Sequence, residues 1–167
     1  MNICFIGMSG AGKSYIGKQF AKAANFSFID IDGAMEIEYG KPLQDILDTL
    51  GDQEFLKAQA EQILELAGLD TTVISPGGSV VYSEEAMEFL RKHTTIVYLE
   101  STLATIQARI KDTPRGIVGL ATQTLEELYN SRVTLYEKWA DITVKTETKT
   151  PTELCQEIAT AIHKIRP

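Results

Sequence analysis

The chain offers little with which to build a disulfide framework, a membrane span or a surface for nucleic acid. Two cysteines in 167 residues cannot staple a small secreted fold. Cys4 lies in an apolar run and Cys155 in a terminal helical pattern, so both read as reduced structural thiols. No apolar run approaches the ~18 residues that a membrane helix needs. The opening "MNICFIGM" is too short and lacks the basic start of a signal peptide. Basic residues number 16 against 23 acidic ones, a formal net charge of -7. Such a surface repels DNA and RNA. These absences lead us to expect a cytoplasmic monomer whose partner is a small molecule, with no nucleic acid and no membrane involved. Repeats, low-complexity tracts and linkers are missing too, so the whole chain, 1–167, is expected to form one domain.

What is present alternates. Residues 2–6, 26–29, 72–75, 95–99 and 142–144 are short runs rich in β-branched and aromatic side chains and read as strands. Helical patterns fall between them, at about 13–24, 34–39, 43–50, 53–67, 84–92, 102–111, 124–139 and 152–165. Thr150-Pro151-Thr152-Glu153 reads as a capping box with proline at the first helical position. The alternation predicts an α/β fold, a five-stranded parallel sheet flanked by helices, with ligands at the carboxyl ends of the strands. Two regions exceed simple alternation: 31–67 is expected to hold an acceptor, and Gly- and Thr-rich 112–123 to form a lid.

The chemistry begins at "FIGMSGAGKSYIGK", residues 5–18, where Gly7, four residues and Gly12-Lys13-Ser14 reproduce the spacing of a phosphate-binding P-loop. Backbone N–H groups of Gly7, Gly10, Ala11, Gly12, Lys13, Ser14 and Tyr15 are expected to surround the phosphates, Lys13 to reach the β- and γ-phosphates, and Ser14 to ligate Mg²⁺. The motif follows a strand and opens a helix, the context it requires.

Asp30 and Asp32 follow the second strand, two residues apart. In an extended chain they would point the same way. Two carboxylates beside phosphate imply a cation, so both are expected to serve Mg²⁺ through water. Asp32 could also take a proton from an acceptor hydroxyl, or simply cap the next helix. "SPGGSV", 75–80, places paired glycines after the third strand. Arg115 in the lid region could neutralise developing phosphoryl charge. Trp139, His93 and His163 suggest no role.

In this order the motifs resemble the shikimate kinase family, of the nucleoside-monophosphate-kinase-like fold, over essentially the whole chain. The resemblance implies ATP and Mg²⁺ as cofactors and phosphoryl transfer to an alcohol, shikimate to shikimate 3-phosphate. It makes Lys13, Asp32 and Arg115 catalytic and places acceptor contacts at Asp32, Gly77, Gly78 and Arg132. Arg132 would bind the acceptor carboxylate, while Arg109 and Pro151 would sandwich the adenine. Departures gather in the acceptor half: Leu56 and Gln59 stand where the family has arginine and glutamate, Pro76 where it has the first of three glycines, Gly116 in the lid and Thr134 on the long helix where it has prolines. Losing a charged partner of a bound carboxylate costs about 1.5–3 kcal/mol, so shikimate is expected to be used poorly and a less anionic hydroxylated acceptor becomes a rival. Loss of catalysis, leaving a nucleotide-binding regulator, is a further alternative. A nucleoside monophosphate kinase would want arginines for a second phosphate, and residues 33–67 contain none.

Overall fold

The computed structural model describes residues 1–111 and 116–165. Five strands form the sheet: β1 (Ile3–Ile6), β2 (Ser27–Asp30), β3 (Thr72–Ser75), β4 (Thr95–Glu100) and β5 (Ile142–Lys145). Their order is β2-β3-β1-β4-β5, and every neighbouring pair is parallel. Among the described residues seven α-helices connect and cover them: α1 (Lys13–Ala24), α2 (Ile31–Tyr39), α3 (Leu43–Leu64), α4 (Glu84–His93), α5 (Leu103–Ile110), α6 (Leu125–Trp139) and α7 (Pro151–Ile165).

Strand alternation sorts the core into two layers. Ile3, Phe5, Val73, Val97 and Val144 face α1 and α7, packing on Ile16, Phe20, Leu154 and Ile158. Cys4, Ile6, Ile74, Ile96 and Tyr98 face the other way, against Ile63, Met87, Leu90 and Tyr136 of α3, α4 and α6. Each fully buried aliphatic side chain contributes about 1.5–3 kcal/mol, so these layers hold the strand ends that carry the site. Burial also pushes the Cys4 thiol well above its ordinary range, which keeps it protonated and inert. Both cysteines are free thiols.

The strand expectations hold to within a residue or so at each end. α1 begins at Lys13 as the P-loop requires, and α7 begins at Pro151 under the expected box: Glu153 N donates to Thr150 Oγ1 at 3.3 Å while Thr150 N donates to Glu153 Oε2 at 2.7 Å. A second box, Thr124 with Glu127, opens α6. Three local readings are corrected. The helix expected at 34–39 starts at Ile31, because Asp30 turns the chain out of β2 and accepts a hydrogen bond from Gly33 N at 3.4 Å. The segments 43–50 and 53–67 form one element that ends at Leu64 and is broken inside at Gly51 (φ 76, ψ 167). The glycine turn after β3 continues as a 3-10 helix, Gly78–Tyr82.

Ile31 of α2 and Ile63 of α3 join the core beneath the sheet, while Met35, Ile46, Leu47 and Phe55 of the same two helices gather with Val118 in a third apolar cluster. Asp32 and Glu36 of α2 and residues 42–45 at the start of α3, together with the loops after β1 and β3, frame a cleft of about 950 Å³. Since β1 pairs with β3 on one side and β4 on the other, the cleft opens at the point where strand order reverses, the usual ligand position in such sheets.

Candidate active site

The phosphate end is built from backbone. Gly12, the residue before α1, adopts φ 93 and ψ 16, a left-handed conformation that a side chain would strain. With no side-chain cap and no acidic residue in the first turn of α1, the N–H groups there remain available to an anion. Lys13 is buried and folds along the loop, donating to the carbonyls of Gly7 (2.9 Å) and Met8 (3.1 Å). Arg109, on α5, crosses the other flank and donates from Nη1 to Gly10 O at 2.9 Å. Tyr15, Arg109, Lys149 and Pro151 line the same cleft, and a guanidinium there is a group on which an aromatic base can stack. Ser14 Oγ stands 3.4 Å from Ser75 Oγ of β3.

The other end carries a carboxylate and a buried guanidinium. Asp32 lies in the first turn of α2 and lines the cleft. Burial pushes its carboxyl up to about 6; Lys13 and the Gln59 amide pull it down, while Asp30 and Glu36 push it up. Gln59 donates to Asp32 Oδ1 at 3.3 Å and accepts from Ser79 Oγ at 3.2 Å. Arg132 is wholly buried, among the largest side chains to be so in the described residues. Its Nε donates to Tyr82 Oη at 3.1 Å and its Nη2 to Val118 O at 2.7 Å, with the guanidinium over the Tyr82 ring. No carboxylate pairs with it among the described residues.

Two glycines join these groups. A Cβ on Gly77 would stand 2.6 Å from Asp32 Oδ1, and one on Gly78 would stand 3.3 Å from Arg132 Nη1 and 3.1 Å from Ser9 N of the P-loop. Only a bare backbone lets the P-loop, the Asp32 carboxylate and the Arg132 guanidinium close in on one another. Tyr136 Oη holds that backbone by donating to Gly78 O at 2.6 Å.

A phosphate cradle, a metal-competent hydroxyl, a cleft carboxylate and a buried cation beside consecutive glycines suit phosphoryl transfer to a small anionic alcohol. A family model described as shikimate kinase matches residues 9–163. The chain belongs to the shikimate kinase family. It is 33% identical over 158 residues to the shikimate kinase of Persephonella marina, covering 94% of this chain and 96% of that one. It is 37% identical over 150 residues to that of Haemophilus influenzae, covering 87% and 83%. Among solved structures it is similar to a shikimate kinase from Acinetobacter baumannii in complex with shikimate, with TM-score 0.88, 27% identity and coverage of 99% and 94%. It is also similar to the Aquifex aeolicus shikimate kinase, with TM-score 0.85, 30% identity and coverage of 99% and 98%. A gluconokinase from Sinorhizobium meliloti, at TM-score 0.59 and 20% identity, shares the fold. As a family member the chain is an ATP- and Mg²⁺-dependent small-molecule kinase with an alcohol acceptor.

The structure brings Gly10, Ala11, Gly12, Lys13, Ser14, Tyr15, Asp32, Arg109 and Pro151 into one cleft, with Gly116 on its rim. Asp30 does not point with Asp32 from an extended strand, as expected; it caps α2, and Asp32, not being the cap, is left to face the cleft. Arg115 lies outside the described residues. The adjoining 116–119 segment packs over the acceptor end: Ile117 and Val118 are buried, Val118 O accepts from Arg132, and Gly119 N donates to Asp52 Oδ2 at 3.1 Å. Sequence reasoning missed Tyr82, Ser79 and Lys149. Tyr82 meets Arg132 across 50 residues, a pairing that no local spacing announces. Lys149, two residues before Pro151, was the one with a usable signal.

Proposed function

We propose that the protein transfers the γ-phosphoryl group of ATP to a hydroxyl of shikimate, giving shikimate 3-phosphate, as a cytoplasmic monomer with an acceptor segment at 31–67 and a lid at 112–123. The observation that carries this reading is Arg132. A buried guanidinium without a carboxylate partner among the described residues is suited to a ligand carboxylate that completes its pairing. Asp32 lies against Gly77 as Arg132 lies against Gly78, the next residue, and it is largely ionised above pH 6. It orients the acceptor hydroxyl and accepts its proton as the oxygen forms its bond to phosphorus and the bond from phosphorus to ADP breaks. Lys13 balances charge on the phosphates, and Arg115 does so from the lid. Arg109 and Pro151 flank the adenine. Ser14 and Asp32 line the cleft beside the phosphate cradle, a donor set of hydroxyl and carboxylate oxygens that suits Mg²⁺: the Ser14 hydroxyl, with Asp30 and Asp32 through water, would hold it, and it would neutralise phosphate charge.

Leu56 supports a second reading. It packs with the Met35, Ile46, Phe55 and Val118 cluster, an apolar wall where the family resemblance places a second cation. A hydroxylated acid less polar than shikimate would use that wall better. The deciding experiment is a coupled ATP-consumption assay with shikimate, other hydroxy acids, cyclitols and polyols. The first reading predicts turnover with shikimate at a high KM. Turnover confined to another acceptor favours the second, and ATP binding without any turnover returns the protein to the regulatory class.

A further inference from the structure

Gln59 is almost wholly buried on α3, at 1% exposure. A long amide in such a place is costly unless both of its ends are bonded. Here both are. Ser79 Oγ donates to Oε1 at 3.2 Å, and Nε2 donates to Asp32 Oδ1 at 3.3 Å. The first bond sets the second, because a hydroxyl donor at Oε1 leaves only the NH₂ to meet the carboxylate. Ser79 sits in the 3-10 turn that follows Gly77, and a Cβ on Gly77 would collide with Gln59 Nε2 and crowd Asp32 Oδ1. The turn therefore lies against the carboxylate and anchors the amide that orients it.

The chemistry of Leu56 belongs to the same arrangement. A glutamate at 59 would set a second carboxylate against Asp32, which already has Asp30 and Glu36 near it and Lys13 as its cation. Only a cation on the neighbouring turn would make that tolerable, and Leu56 supplies none. A neutral amide keeps the hydrogen bond and removes the repulsion.

We infer that Gln59 is a positioning residue for phosphoryl transfer: anchored by Ser79, it holds the Asp32 carboxylate toward the acceptor hydroxyl, and it replaces a charged pair that would require a cation at position 56. This rests on the kinase reading above.

The test is steady-state kinetics with shikimate and the acceptor panel, plus calorimetric ATP binding, for Gln59→Glu, Ser79→Ala and the double variant Leu56→Arg/Gln59→Glu. Gln59→Glu should lower kcat about 10- to 100-fold, with ATP affinity unchanged. Leu56→Arg in the same chain should restore kcat to within a few-fold of wild type. Ser79→Ala, which deletes one hydroxyl and leaves the fold least disturbed, should lower kcat several-fold without changing the KM for ATP. A Gln59→Glu or Ser79→Ala kcat within two-fold of wild type overturns the inference while leaving the kinase reading intact. So does a loss that Leu56→Arg fails to repair, or one matched by an equal loss of ATP binding. A wild-type protein that phosphorylates none of the acceptors overturns the kinase reading and the inference with it.

Discussion

Replacing Asp32 by Asn should make the ligand-free protein more stable. The Asp32 carboxyl is raised from an ordinary 3.8 to about 6, chiefly by burial. Because the folded value lies above the unfolded one, the group costs nothing below about pH 4, where both states are protonated. Between pH 4 and 6 the unfolded chain loses its proton while the folded one keeps it, so stability falls. Above pH 6 the full penalty stands. A shift of about two units corresponds to about 3 kcal/mol. Asp32 is half-buried and borders an open cleft, so solvent screening reduces this to about 1–2 kcal/mol. Asparagine removes the charge and keeps an oxygen for the Gln59 amide. The assay is thermal and urea denaturation in EDTA without nucleotide, from pH 4 to 8. At pH 7.5 the variant should melt about 3–6 °C higher, and the two curves should converge toward pH 4. A variant that is less stable at pH 7.5, or whose gain is independent of pH, would refute the assignment of a strained carboxylate at this place.

Lys13→Ala should weaken ATP binding by at least about 100-fold in calorimetry with Mg²⁺, since it removes a charged donor from buried phosphate contacts; unchanged affinity would contradict the cradle. Arg132→Met, which keeps much of the side-chain volume, should raise the KM for shikimate tens- to hundreds-fold, about 1.5–3 kcal/mol, with ATP affinity kept; an unchanged KM would remove Arg132 from the acceptor. Amide exchange in residues 116–123 should slow when nucleotide and acceptor are both present; protection equal to that of the sheet in the empty protein would exclude lid movement there.

How far this site could be read in advance depended on whether its signals were local. The P-loop was fully legible, because strand, glycine spacing and helix follow one another without interruption from Ile3 to Ala24, and Lys13 begins α1 as that motif demands. The α7 cap was legible for the same reason. Asp30-Ile31-Asp32 was misread as extended because Ile31 continues the apolar alternation of β2. The competing signal, an aspartate with an N–H three residues later to bond, ends the strand at Asp30. Gly51 looked like a gap between two helical patterns and is a break inside one element. The acceptor end was legible only as a set of departures. That Gln59 bonds both Asp32 and Ser79, and that Tyr82 holds Arg132, arises from contacts 20 to 50 residues apart. Such contacts exist only once α3, α6 and the turn after β3 have packed.

The most direct measurement is phosphorus NMR of the protein with Mg²⁺·ATP and shikimate. The account predicts a new phosphomonoester resonance that grows as ATP declines, appears only when shikimate is present, and is lost in Lys13→Ala. Conversion of ATP to ADP and inorganic phosphate with no phosphomonoester, at shikimate concentrations up to its solubility limit, would contradict it.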